Sequence, residues 1–115
     1  EMSDVFREYA FTVSIAGIPL TGRIDLLFRK PEGTWMIIDY KSDAITALTL
    51  SQKESYQFQL ESYRRAIEIL GMNPARSALY SVSDKKLIEL DPWPDEKYYS
   101  FLTTCVEQIN VHKPG

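Results

Sequence analysis

The chain has 115 residues, 44% apolar and 25% charged, which is the size and composition of one globular domain able to bury roughly two-thirds of its unfolded surface. Its net charge of −3 excludes a general attraction for nucleic acid or an anionic membrane, so any polyanion must be held locally or through a cation. The single Cys105 excludes an internal disulfide framework, no apolar run approaches the roughly 20 residues that span a bilayer, and no signal-peptide pattern opens the chain. These features lead to the expectation of a cytoplasmic domain. The start at Glu1 and the loose ending His112-Lys113-Pro114-Gly115 suggest a single domain, residues 1–115, taken from a longer protein.

Residues 9–15, YAFTVSI, alternate apolar and polar and predict a half-buried strand, and Ala16-Gly17-Ile18-Pro19 turns the chain. Leu20 to Arg29 predicts a second strand, with Gly22, Ile24, Leu26 and Phe28 on one face and Arg23, Asp25, Leu27 and Arg29 on the other. Lys30-Pro31-Glu32-Gly33-Thr34 is a hairpin turn, since Pro presets φ and Gly accepts a positive one. The third strand is WMIIDYK, residues 35–41. Gln52 to Leu70 predicts a helix closed by Gly71, with Ser51 and Glu54 as its capping box. Ser77–Ser83 and Leu87–Leu90 predict two more strands around the polar turn Asp84-Lys85-Lys86, and a last helix runs from about Pro94 to about Asn110. The order β-β-β-α-β-β-α describes a mixed α/β fold, a central mixed sheet flanked by helices.

The third strand ends in two opposite charges. The side-chain period of two puts Ile37, Asp39 and Lys41 on one face. If the hairpin closes on a three-residue loop centred on Glu32, paired residues have numbers summing to 64 and Asp25 faces Asp39; a two-residue loop or a bulge would part them. Two carboxylates at about 5 Å and an effective dielectric near 20 repel by about 3 kcal/mol, a sizeable share of a domain's stability. Lys41 offsets one charge, and a hard divalent cation held by both carboxylates offsets the repulsion more fully. Oxygen donors suit Mg²⁺ or Mn²⁺ better than zinc, for which this chain has few ligands. Taken alone, an Asp-x-Lys pair also reads as a solvated strand exit with a weak surface ion pair. In the predicted helix, Tyr56, Leu60, Tyr63, Ile67 and Leu70 form an apolar stripe that contains the amide Gln59. That amide either points at polar groups across the interface, the Asp39 and Lys41 strand end being the nearest supplier, or lies at the stripe's edge and reaches water.

Gly22-Arg23-Ile24-Asp25, Asp39-Tyr40-Lys41 and Gln59-Leu60-Glu61-Ser62-Tyr63 together resemble the three motifs of the PD-(D/E)XK nuclease superfamily. The likeness is to the RecB-like branch, the nuclease domain of bacterial helicase-nucleases. It runs from about Glu8 to Val82, in the family's order and spacing, and it implies a restriction-endonuclease-like core. It also implies that Asp25, Asp39 and the backbone carbonyl of Tyr40 bind Mg²⁺, with Mn²⁺ as a substitute. Lys41 would position or activate the attacking water, and Gln59 and Tyr63 would orient groups around the centre. Glu8 resembles a less regular upstream acidic position and is a further metal candidate. Ile24 stands in place of the superfamily's Pro, and Asp39 where Glu is often found. No His precedes Asp25, and His112 lies at the far end of the chain, so the expectation is that a further ligand lies before Glu1.

The function expected is a Mg²⁺-dependent deoxyribonuclease, exonucleolytic rather than endonucleolytic, within a DNA end-processing or repair helicase-nuclease. Its partners would be DNA and helicase domains of the same chain or complex. The alternatives are a catalytically inactive DNA- or protein-binding module that kept the fold, and an RNA-directed nuclease. Tyr98, Tyr99 and Phe101 are expected to pack the last helix onto the sheet, with stacking on single-stranded bases as the other reading.

Overall fold

The computed structural model describes residues 4–42 and 44–112, with side chains as far as Glu107. The side chain of His112 lies outside the described residues. Strands β1 (Val5–Ile15), β2 (Ile18–Arg29) and β3 (Trp35–Lys41) come first, followed by a short 3-10 turn (Ile45–Ala47) and helix α1 (Leu50–Ile69). Then follow β4 (Ala75–Ser81), β5 (Lys86–Leu90) and helix α2 (Asp95–His112). The five strands form one sheet in the order β1-β2-β3-β4-β5. All neighbours are antiparallel except β3 and β4, which run parallel because α1 carries the chain back between them. The architecture is therefore mixed α/β, in the element order the sequence predicts. No helix among the described residues is long and apolar enough to cross a membrane.

Local chemistry explains the joints. The β2–β3 hairpin closes with the Lys30 N–H donating to Thr34 O at 2.8 Å and the Gly33 N–H to Lys30 O at 2.9 Å, while Gly33 takes φ 108°. That is the symmetric loop centred on Glu32, and it sets the pairs Leu26–Ile38, Leu27–Ile37, Phe28–Met36 and Arg29–Trp35. Helix α1 begins two residues earlier than predicted. Its capping box is built from Thr49 and Gln52 rather than Ser51 and Glu54: the Thr49 hydroxyl accepts the Gln52 N–H at 3.1 Å and the Gln52 amide oxygen accepts the Thr49 N–H at 2.9 Å. At the other end, Gly71 at φ 95° lets its N–H reach Glu68 O and the Met72 N–H reach Ile67 O, the paired bonds that close a helix on a left-handed residue.

The core gathers Phe11, Val13 and Ile15 from β1, Ile24 and Leu27 from β2, and Ile37 and Leu79 from the centre of the sheet. Leu60, Ala66 and Ile67 of α1 and Trp93 and Tyr98 near α2 close over them. Leu70, which the stripe on α1 includes, is exposed instead because it is the helix C-cap. Of the three aromatic residues of α2 expected to pack onto the sheet, Tyr98 is buried with its hydroxyl 2.8 Å from the Ser62 hydroxyl and Phe101 lies 4.6 Å from the Phe58 ring, both against α1, whereas Tyr99 is exposed.

Candidate active site

The ladder between β2 and β3 stops at Leu26–Ile38; one step further in its numbering Asp25 falls opposite Asp39, and the two side chains are close enough to interact. The backbone does not continue as a regular pair there; instead the Asp25 carboxylate accepts the Tyr40 N–H at 2.9 Å. Two further observations mark the same position as a break in the sheet. Ile24 and Leu27 both sit in the core cluster although they are three residues apart, so the buried face of β2 changes parity between them. On the other side, Glu8 of β1 falls opposite Asp25 in the numbering of the ladder, yet forms no pair with it and takes φ 51°. The side-chain faces expected from strict alternation along β2 therefore hold only up to this break.

Asp39 is the most constrained group of the site. Its side chain is 15% exposed, and its Oδ2 is sealed from solvent with the Lys41 ammonium 2.8 Å away, in a direction outside that of a hydrogen bond. Burial holds its carboxyl above the usual carboxylate range, a shift that Lys41 opposes and that the neighbouring Asp25 reinforces. The two carboxylates are thus close enough in the fold for Asp25 to disfavour the charged form of Asp39. The end of β3 is fixed from the other side by the Val82 N–H, which donates to Lys41 O at 2.8 Å.

Helix α1 covers this strand end. The Lys41 ammonium lies 4.0 Å from the centre of the Tyr56 ring. One turn on, Gln59 is exposed, and its amide nitrogen approaches the Tyr63 hydroxyl at 3.4 Å, so the amide lies at the stripe's edge rather than beneath the helix. Tyr63 meets Phe11 edge to face at 5.2 Å and rests on Gly22, where an added Cβ would stand 2.7 Å from the Tyr63 ring and 2.8 Å from Phe11. Gly22 is small because two aromatic rings occupy the space of a side chain. Among the described residues, neither Gln59 nor Tyr63 hydrogen-bonds Asp25, Asp39 or Lys41. Glu8 is also apart: its side chain is 74% exposed and pairs with Arg23 at 3.4 Å. The structure brings Asp25, Asp39, Lys41 and the Tyr40 backbone together, places Gln59 and Tyr63 along the covering helix, and turns Glu8 outward.

The donor set is one of oxygens, two carboxylates and the adjoining Tyr40 carbonyl, with no group of three or more His, Cys, Asp or Glu among the described residues. A sealed carboxylate oxygen whose close partner is an off-axis ammonium, beside a second carboxylate, fits a hard cation that completes its shell with water. Two features were not singled out in the sequence: the Tyr56 ring against Lys41, and the steric role of Gly22. Helical spacing from Gln59 pointed toward the first, and a glycine inside a strand toward the second.

Comparisons with known proteins place the chain in a family. The family model of the PD-(D/E)XK nuclease superfamily matches residues 1–111. A protein of Oceanobacillus iheyensis, named as one of the subunits of an ATP-dependent helicase/nuclease, is 42% identical, covering 81% of this chain and 9% of that protein. Its namesake in Lysinibacillus sphaericus is 32% identical over 72% of this chain and 8% of its own length. This chain thus spans about a tenth of those relatives. Among solved structures, one from Eubacterium rectale, provisionally described as an exonuclease, superposes with a TM-score of 0.61 at 17% identity, over 90% of this chain and 41% of that one. The crystal structure of SSO0001 gives 0.57 at 15% identity, over 95% and 51%. The two structures share the fold, and with the family match over nearly its whole length this chain belongs to the PD-(D/E)XK nuclease superfamily.

Proposed function

We propose that this chain is a Mg²⁺-dependent deoxyribonuclease domain, one unit of a longer cytoplasmic helicase-nuclease that trims DNA ends during repair or recombination. The observation that carries the reading is the pair Asp25 and Asp39 at the break in the sheet, one of them with an unsatisfied buried oxygen and a lysine 2.8 Å away. Asp25, Asp39 and the Tyr40 carbonyl would hold the Mg²⁺, for which Mn²⁺ would substitute, and the ion would supply neutralisation of phosphate charge and acidification of water. Glu8 faces away in this conformation, so a further ligand would come from elsewhere in the longer chain.

The chain's own residues do the rest. In hydrolysis a water oxygen bonds to phosphorus while the bond to the departing sugar oxygen breaks and that oxygen takes up a proton. Lys41 places a positive charge where negative charge grows on the phosphoryl oxygens and orients the attacking water. Gln59 and Tyr63, along the rim of α1, position the DNA strand beside the carboxylates. With a net charge of −3, most of the phosphate-binding surface would come from the helicase domains.

The test is incubation of the protein with labelled linear and circular DNA in Mg²⁺, beside Asp39→Ala and Lys41→Ala. Both variants should lose cleavage by about 10²- to 10³-fold with unchanged circular dichroism. Attack on the linear form alone supports the exonuclease reading. Equal cutting by either variant overturns the assignment, and binding without cleavage by the unmutated chain would favour the inactive binding module.

A further inference from the structure

We infer that Tyr56 is a positioning residue for Lys41, its ring face holding the ammonium beside Asp39. This rests on the nuclease reading above and adds to it a residue outside the three motifs. A lysine side chain has four rotatable bonds, and a single ion pair restrains its charged end from one direction only. Here the ammonium has a second restraint, for the Tyr56 ring centre lies 4.0 Å from Nζ while Asp39 Oδ2 lies 2.8 Å from it. At that separation the negative face of the ring attracts the cation. The side chain is only 20% exposed, so water competes weakly for it.

The placement of Tyr56 follows from the helix. Residues 56, 59, 60 and 63 share one face, so the ring that holds Lys41, the exposed Gln59 and the Tyr63 that rests on Gly22 form a single row over the end of β3 and the adjoining middle of β2. Thr49 and Gln52 fix the start of that row through the capping box one to two turns earlier. Lys41 therefore keeps its ammonium at the carboxylate pair instead of sweeping into solvent.

The ring face makes the contact, so Tyr56→Phe should preserve it and Tyr56→Leu should remove it while keeping an apolar side chain. In the unmutated protein and in Tyr56→Phe, the Lys41 ε-methylene protons should resonate upfield of ordinary lysines because of the ring current, and Tyr56→Leu should return them to ordinary positions. In cleavage assays Tyr56→Leu should lower kcat about tenfold with KM for DNA unchanged, and Tyr56→Phe should restore it. The inference is overturned if the unmutated protein shows no upfield Lys41 signal, if Tyr56→Leu cuts at full rate, or if Tyr56→Phe is as impaired as Tyr56→Leu. Failure of the unmutated protein to cut DNA would strike the nuclease reading, whereas the Lys41 signal decides the contact without any cleavage.

Discussion

Two clusters of buried charge lie on or beneath α1, and they are built to opposite rules. Around Glu61, which is 2% exposed, every charge is met: Arg64 donates from Nε at 3.0 Å and Nη2 at 2.7 Å, and Arg65 donates from Nε at 2.8 Å. The groups around these three are satisfied in turn. Arg64 also pairs with Glu68 at 3.1 Å, Glu68 accepts the Ala75 N–H, and Arg65 reaches Trp93 O and Asp95 while its guanidinium lies 4.2 Å from the Tyr98 ring. At the end of β3 two carboxylates lie close together with one lysine, paired to Asp39, and the sealed Asp39 Oδ2 has no well-directed hydrogen bond. The ingredients are alike, acids and bases in low dielectric, but one cluster is saturated by its own partners and the other is not.

Isosteric neutralisation separates the two most sharply. Glu61→Gln keeps the shape and removes the charge that two guanidiniums share, so it should destabilise the domain by about 3 kcal/mol, at the low end for breaking a buried pair because Glu68 and Asp95 still hold the arginines. Urea unfolding followed by circular dichroism measures it, and an effect below about 1 kcal/mol would mean that this cluster is not the scaffold described.

The site end also has a steric component. A methyl group at Gly22 would stand 2.7 Å from Tyr63 and 2.8 Å from Phe11, so Gly22→Ala should cost about 1–3 kcal/mol by forcing the rings apart. If Tyr63 is the obstacle, the cost should shrink when the same change is made in Tyr63→Ala, and a thermal-unfolding double-mutant cycle reads the coupling. Additive penalties would place the strain elsewhere.

Much of this was legible from the chain. The Pro31-Glu32-Gly33 loop dictates the hairpin register, and the register dictates that Asp25 meets Asp39, because pairing and side-chain direction are both local consequences of turn length. Gly71 stops α1 for an equally local reason. What escaped depends on tertiary partners. Thr49 outcompetes Ser51 as the cap by two residues, a boundary choice that propensity alone does not resolve. Glu61, Ser62 and Arg64 are buried although polar, because α2 supplies Tyr98 against Ser62 and the Pro92–Pro94 segment supplies Trp93 O to Arg65, and no periodicity within α1 announces a second covered face. The break at Asp25 was invisible for the same reason: alternation along β2 looks regular until β1 and β3 both part from it.

The last expected effect is the smallest and has the opposite sign to Glu61→Gln. Burial and the neighbouring Asp25 raise the Asp39 pKa in the fold above its value in the unfolded chain, despite Lys41. The stabilisation linked to that shift is complete below the ordinary carboxylate range and is lost as pH rises through the raised pKa, where the folded state must carry a charge it disfavours. Asp39→Asn removes this ionisation, so in chelator at neutral pH the variant should melt above the unmutated protein, and the gap should close as the pH is lowered into the carboxylate range. Adding Mg²⁺ should reverse the order, because binding stabilises the protein that retains both carboxylates and leaves the variant unmoved. A variant that melts lower in chelator at neutral pH would mean that Lys41 already satisfies Asp39, and the site would then belong with the Glu61 cluster as scaffold.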